Sequence, residues 1–204
     1  MSGRAAKASE VDTALAIEIR ALTSADISEL PGIDPGFVSD AELTLCKSMR
    51  NLDLTWSLTR QPLHQPFDKG HGYDLRREEL CSIRERHNSG RCLQLIAEGH
   101  GRIVGLLEVE PEDWRRVGWV WNILVDRQQR RRGIGRAFVC RAIEWAEEHD
   151  LMALVAETQT NNIIACEFYA TLGFVPGGID HLYYRCCGNT SVREDIAIFW
   201  YLEL

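Results

Sequence analysis

The residues whose types and spacing could do chemistry lie between Ile123 and Arg136, in the run Ile-Leu-Val-Asp-Arg-Gln-Gln-Arg-Arg-Arg-Gly-Ile-Gly-Arg. Ile123, Leu124 and Val125 form a short apolar run of the kind that ends a buried strand. Asp126 to Gln129 make a polar turn. Arg130, Arg131 and Arg132 lead into Gly133, Ile134 and Gly135, after which Ile134, Phe138, Ala142 and Trp145 recur at helical spacing. A helix start leaves its first N–H groups unpaired and carries about half a positive charge. Glycines let those groups approach an anion with no Cβ in the way. Arginines, here with Arg136 included, offer bidentate donors to phosphate oxygens. The stretch therefore reads as a seat for a pyrophosphate. Two related loops are excluded by residue type. A dinucleotide fingerprint needs a third glycine where Phe138 stands, and a P-loop needs Lys and Ser/Thr where Arg136 and Ala137 stand. For an arginine run alone the solvated helix face is the better reading, with a nucleic-acid patch behind it; the glycines after a strand turn the balance to phosphate.

Arg130-x-x-Gly133-x-Gly135 resembles the acetyl-CoA pyrophosphate motif of the GNAT superfamily of N-acetyltransferases. Asn162-x-x-Ala165-x-x-Phe168-Tyr169-x-x-x-Gly173-Phe174 resembles that superfamily's second motif, and the two stand in the expected order with a strand, Ala153 to Glu157, between them. The C-terminal residues are more particular. Gly177-Gly178-Ile179-Asp180, Leu182-Tyr183-Tyr184-Arg185 and Ile196 to Tyr201, with Glu157-Thr158-Gln159 before Asn161-Asn162, resemble the streptothricin (nourseothricin-type) acetyltransferases. The broader resemblance runs from about Ile17 to the end; the narrower one is concentrated after Ile123.

The resemblance implies a fold and a set of sites. The expected fold is a single α/β domain with a mixed central sheet of about six to seven strands, flanked by helices. The strand ending at Val125 and the strand of Ala153 to Glu157 splay apart to make the acetyl-CoA cleft. Acetyl-CoA is the expected co-substrate, with no metal. Its contacts would come from Ile123, Leu124, Val125, Arg130, Arg131, Arg132, Gly133, Ile134, Gly135, Arg136, Asn162 and Ala165. A backbone N–H near Ile123 to Val125 could polarise the thioester carbonyl.

Amide formation also needs a proton for the leaving thiolate and a neutral amine. A thiol near ~8.5 and a phenol near ~10 are close enough for a tyrosine to donate that proton. Tyr169 matches the position where many GNAT enzymes place the acid, although its helical stripe beside Phe168 reads on its own as core packing. Glu157 ends its strand at the cleft and can accept the amine's proton; a salt-bridged strand-end carboxylate is an equal reading. Glu108 is a second candidate base. Trp121 and Asn122 stand where the streptothricin-type enzymes carry acidic residues, so they are candidate acceptor contacts, with Asp180. Trp119 and Trp121 suit either a cation–π surface or a core.

The elements that must position these residues follow from the pattern. Met1 to Leu15 reads as a mobile tail, with the domain from Ala16 to Leu204. Ala16 to Leu22 reads as a strand and Thr23 to Leu30 as a short helix closed by Pro31 to Gly36. Val38 to Arg60 is open between helix, helix pair and strand, and Gln61 to Gly72 reads as a loop. The resemblance lays this region over the acceptor pocket. His64 and His71 fit no zinc spacing and read as surface histidines. Tyr73 to Asn88 is helical; Cys92 to Glu98 and Arg102 to Val109 make a hairpin, and Gly118 to Val125 is the central strand. Helix Gly133 to Asp150, strand Leu151 to Thr158 and helix Asn162 to Leu172 follow, and Leu182 to Cys186 with Ile196 to Leu202 read as a final hairpin.

Composition bounds the function. A chain of 204 residues with 45% hydrophobic and 26% charged residues is ordinary for one globular domain. No apolar run approaches the ~20 residues of a membrane span, and Met1 to Val11 lacks a signal peptide's apolar centre. Seven cysteines without repeated spacing suit reduced thiols in a cytoplasmic protein, with Cys186 and Cys187 on opposite faces of a strand. A net charge of −7 disfavours nucleic acid and suits a cationic partner. The expected activity is N-acetylation, from acetyl-CoA, of a primary amine on a small polycation such as a streptothricin-like antibiotic, by a monomer or homodimer. Acetylation of a protein N-terminus or lysine, and a catalytically silent acyl-CoA-binding module, are the alternatives.

Overall fold

The computed structural model describes residues 17–186 and 195–204. The expected tail of residues 1–15 and the Cys186–Cys187 pairing therefore lie outside the described side chains.

In chain order, β1 (Glu18–Ala21) leads into two 3-10 turns, Asp26–Ser28 and Leu30–Gly32. Then come β2 (Val38–Arg50), β3 (Asp53–Asp68), α1 (Arg77–Ser89), β4 (Leu93–Gly99), β5 (Arg102–Glu112) and β6 (Val117–Val125). A 3-10 turn at Arg127–Gln129 precedes α2 (Ile134–Glu148), β7 (Ala153–Gln159), α3 (Ile163–Thr171), β8 (Val175–Asp180), a helical turn Tyr183–Cys186 and β9 (Ala197–Glu203). Seven strands form one sheet in the order β1-β4-β5-β6-β7-β9-β8, while β2 and β3 pair only with each other. The mixed, helix-flanked α/β sheet is the expected one. Among the described residues, its single parallel neighbour pair is β6–β7.

Alternation along the strands builds buried clusters on both faces of the sheet. Ala97, Leu107, Leu154, Ala156 and Ile198 point to one face and bury Phe138, Val139, Ala142 and Ala146 of α2 with Cys166 and Tyr169 of α3. Ile96 and Leu106 point to the other, under Ile27 and Leu30 of the 3-10 turns and Ile83 of α1.

The feature that matters for the site is a parting in the sheet. β6 and β7 are in register only from Val117↔Ala153 to Val120↔Ala156. Beyond Val120, β6 stays on β5 alone, and beyond Ala156, β7 stays on β9 alone. The cause is visible in the register of β5 against β6. Glu108 faces Asn122 and Val109 faces Val120, so Trp121 is an extra, bulged residue. A bulge bends and twists its strand; here it carries the end of β6 away from β7 and leaves a cleft between them.

Three sequence expectations need correction, and one open reading is resolved. Residues 61–68 are not a loop but the second half of β3, which crosses Pro62 and Pro66. Thr23 to Leu30 is not an α-helix: the Asp26 carboxylate accepts from both the Thr23 N–H and its hydroxyl, which holds the segment in tight 3-10 turns. Residues 182–186 are not a strand, because a helical turn starts at Tyr183 and the hairpin partner of β9 is instead β8. The undecided segment from Val38 is a long two-stranded ribbon.

Candidate active site

The start of α2 has the properties an anion seat needs. Its N-cap is Gly133, in a left-handed conformation (φ 85°), and no side chain caps the helix. Among the described residues, no turn or loop hydrogen bond is donated by the backbone N–H groups of residues 131–136. A Cβ at Gly133 would meet nothing within 4 Å, so the approach is open. Arg131, Arg132 and Arg136 are exposed, and no described carboxylate pairs with them. A groove of about 450 Å³ runs from Gly133 and Arg136 along α2 past Ala137 and Cys140. These residues fit a pyrophosphate-bearing ligand: unspent donors, free cations and room.

Two of the expected contacts are otherwise engaged. The Arg130 guanidinium donates from Nε to the Val125 carbonyl (3.1 Å) and from Nη2 to the Pro35 carbonyl (2.8 Å). It braces the turn from within, and burial lowers its pKa. Gly135 is a packing glycine, since a Cβ there would come within 3.0 Å of the Phe168 ring. Its role is close contact between α2 and α3. Asn162 and Ala165 meet each other: the Asn162 Oδ1 accepts from the Ala165 N–H at 3.1 Å and caps α3.

Ile123, Leu124 and Val125 lie on the stretch of β6 past the parting, with one backbone edge turned from β5 toward the cleft. Glu157 is the first residue of β7 beyond the parting. Its carboxylate accepts a short hydrogen bond from the Tyr184 hydroxyl. Burial pushes the carboxyl up to about 7, while the Tyr184 hydroxyl and the Lys69 ammonium pull it down less strongly. A carboxylate at that value can exchange a proton near neutrality. Gln159, two residues on, accepts at Oε1 from Lys69 Nζ (2.9 Å) and from the Tyr73 hydroxyl (3.1 Å). Lys69 Nζ also sits 4.8 Å over the Tyr73 ring. Asn161 is fully buried and donates to Asp195 Oδ1 at 2.5 Å. These side chains form a polar chamber at the end of β7.

Tyr169 lies on the other side of the sheet, packed against Phe168, Phe174 and Trp200. Its ring is 3% exposed, and its hydroxyl has no hydrogen-bond partner among the described residues. Burial raises its pKa, and the charge of Glu157 raises it further, so it stays a neutral phenol.

Four other candidates are tied up. Glu108 is completely buried; it takes Arg86 bidentately (3.1 and 3.0 Å), Gln94 Nε2 at 2.7 Å and Asn122 Nδ2 at 2.5 Å. Both oxygens are saturated, so Glu108 is no base and Asn122 is its partner. Trp121 is half-exposed, but its ring already carries Arg86 at 5.3 Å and its indole N–H donates to Glu110. Asp180 caps a turn by accepting from the Leu182 N–H at 2.8 Å. Lys69, Tyr73 and Arg86 were not singled out by sequence reasoning. They come from segments far away in sequence and carry no local motif, whereas Gln159 and Tyr184 lie inside the runs that carried the narrower resemblance. His71 is exposed and pairs with Asp74, as a surface histidine does. Among the described residues no group of three or more His, Cys, Asp or Glu side chains is arranged to hold a metal. No helix there is long and apolar enough to cross a membrane.

Comparison with known proteins places this geometry. The acetyltransferase (GNAT) family matches residues 52–174. Streptothricin acetyltransferase A of Bacillus subtilis (strain 168) is 30% identical over 148 residues, covering 72% of this chain and 80% of that protein. A protein of Bacillus anthracis str. Ames described as a streptothricin acetyltransferase, solved with acetyl coenzyme A, superposes with a TM-score of 0.75. It is 29% identical, covering 94% of this chain and 99% of that one. Nourseothricin acetyltransferase shares the fold, with a TM-score of 0.75 at 22% identity over 92% and 98% of the two chains. With the uncapped glycine seat of α2, the parted β6 and β7, and these likenesses together, the chain belongs to the acetyltransferase (GNAT) family and is an acetyl-CoA-dependent N-acetyltransferase.

Proposed function

We propose that the acceptor is a primary amine of a small polycation of the streptothricin class, bound in the chamber at the end of β7. The observation that carries this reading is Glu157. It is a buried carboxylate, balanced near neutrality, on the first residue of β7 past the parting, with Asp195 contributing negative charge to the same chamber. The likeness to streptothricin acetyltransferase A supports the substrate class.

The roles follow from the chemistry. Acetyl-CoA supplies a thioester whose acyl group is open to attack by nitrogen. The α2 start, with Arg131, Arg132, Gly133, Ile134 and Arg136, holds its diphosphate, while Arg130 and Gly135 hold the seat in shape. The free edge of β6 at Ile123 to Val125 orients the pantetheine arm and the thioester oxygen. Asn162 and Ala165 fix the start of α3 beside them. Fixing both partners supplies much of the rate, since effective molarities reach ~10⁵ M or more. Glu157 takes the proton from the acceptor ammonium, and Tyr169, neutral because it is buried, gives one to the departing sulfur.

The test is thiol release by the purified protein from acetyl-CoA with nourseothricin, and in parallel with N-terminal peptides and simple monoamines. Nourseothricin should be turned over at least a hundredfold more efficiently than any peptide. Tyr169→Phe should lower its kcat about a hundredfold with acetyl-CoA affinity within twofold. Peptide preference would transfer the protein to the N-terminal acetyltransferases, and an unchanged Tyr169→Phe rate would remove that residue from the mechanism.

A further inference from the structure

Lys69 is a cation with no part in the reaction derived above, yet it sits among the groups that would recognise the acceptor. It follows the last residue of β3 and is anchored through its backbone, with its N–H donating to the Phe37 carbonyl and its own carbonyl accepting from the Gly72 N–H. From there the side chain turns inward. Its ammonium donates to Gln159 Oε1 (2.9 Å) and lies 4.8 Å over the Tyr73 ring. Partial burial lowers its pKa, and the charges of Asp195 and Glu157 oppose that lowering. An amide oxygen, an aromatic face and two carboxylates are what a protein uses to hold a primary ammonium. Lys69 therefore has the chemistry of the ligand rather than of the site.

We propose that Gln159, the Tyr73 ring, Glu157 and Asp195 form an ammonium subsite which Lys69 occupies in the free enzyme and which an ammonium group of the polycationic acceptor takes over. The inference rests on the acceptor reading given above and adds to it an internal competitor. The anchored backbone and the free four-carbon stem suit the exchange: the stem can swing to solvent while the turn at residues 69–72 stays in place. An occupied subsite lowers apparent affinity by the fraction of molecules in which it is vacant. It also sets a threshold, since a monoamine gains too few contacts elsewhere to displace Lys69 and a polycation gains more. The ribbon that ends at Lys69 thereby becomes a determinant of specificity.

Calorimetric titration of nourseothricin into the CoA complex of the wild type, Lys69→Met and Gln159→Leu tests this. Lys69→Met should bind about five- to tenfold tighter than the wild type, and Gln159→Leu weaker. Acetyl-CoA affinity within twofold and an unchanged melting profile show that each variant is folded. In the wild type, Lys69 should be labelled by an excess of an amine-reactive ester at least threefold faster with nourseothricin bound than without it, as mapped by mass spectrometry. Equal or weaker binding by Lys69→Met, slower labelling of Lys69, or no binding to any of the proteins overturns the proposal. Tighter binding by Lys69→Met with no acetylation of the bound compound leaves the subsite standing and sinks the acceptor reading instead.

Discussion

Burial holds the Glu157 carboxyl up at about 7 against the pull of Tyr184 and Lys69. The same burial makes the ionised native state costly. Because the folded value lies above the unfolded one, the native state binds the extra proton between about 4.5 and 7. Stability is therefore lost as pH rises through that window and stays lost above it. Glu157→Gln removes the ionisation. The wild-type kcat should rise as pH climbs through about 7, and the variant should lack that rise. The variant should also melt higher than the wild type at pH 8, by up to about 2–3 kcal/mol, and show almost no advantage at pH 4. Calorimetric melts at the two pH values, beside a pH–rate profile, check both halves; a variant that loses activity with no pH-dependent stabilisation would mean that Glu157 is not a strained carboxylate. This residue, like Tyr169, was singled out in the sequence by the run in which it stands. Lys69 was not, since its meaning comes only from Gln159, 90 positions later in the chain.

At the scale of elements, the parting of β6 from β7 is held by a cross-link of three segments. Arg86 of α1, Glu108 of β5 and Asn122 of β6 form one chain of hydrogen bonds, and Asn122 adjoins the bulged Trp121. Removing one member of a buried ion pair leaves the other uncompensated. Glu108→Ala should therefore cost about 3–5 kcal/mol in chemical denaturation. Asn122→Ala, which leaves the Arg86–Glu108 pair intact, should cost closer to about 1 kcal/mol and chiefly weaken acetyl-CoA binding by loosening the bulge. Similar stability losses for the two would show that the ion pair does not dominate. The central strands and both main helices could be read from periodicity. The second half of β3 could not, because Pro62 and Pro66 normally argue against a strand. A two-stranded ribbon consists only of edges, and an edge tolerates a residue without an N–H. β8 was hidden by Pro176, Gly177 and Gly178. Gly177 is there because any side chain would run into the Tyr201 ring, 2.4 Å from a Cβ at that position.

For the molecule as a whole, the net charge of −7 is not evenly spread. Arg131, Arg132 and Arg136 crowd the start of α2, where the anionic donor would be held. Glu157 and Asp195 belong to the polar cluster past the parting. One sheet thus offers opposite signs to two substrates of opposite sign, with the cleft between β6 and β7 joining them. Such a charge arrangement speeds the encounter of each substrate with its own groups, and dissolved salt should screen it. The Debye length falls from about 30 Å at 0.01 M to about 10 Å at 0.1 M, so long-range attraction is largely gone by physiological ionic strength while contacts inside the chamber persist. For a polycationic acceptor, kcat/KM should fall about tenfold between 0.01 and 0.3 M salt. For a monoamine at the same site it should fall by less than threefold, since the attraction scales with the charge carried. Neither kcat should change by more than about twofold, because the reacting groups are buried beyond the reach of screening. Stopped-flow or initial-rate measurements over that range decide the matter. A polycation and a monoamine with the same salt dependence would mean that the acidic end does not steer the acceptor, and that discrimination lies wholly in the contacts made after arrival.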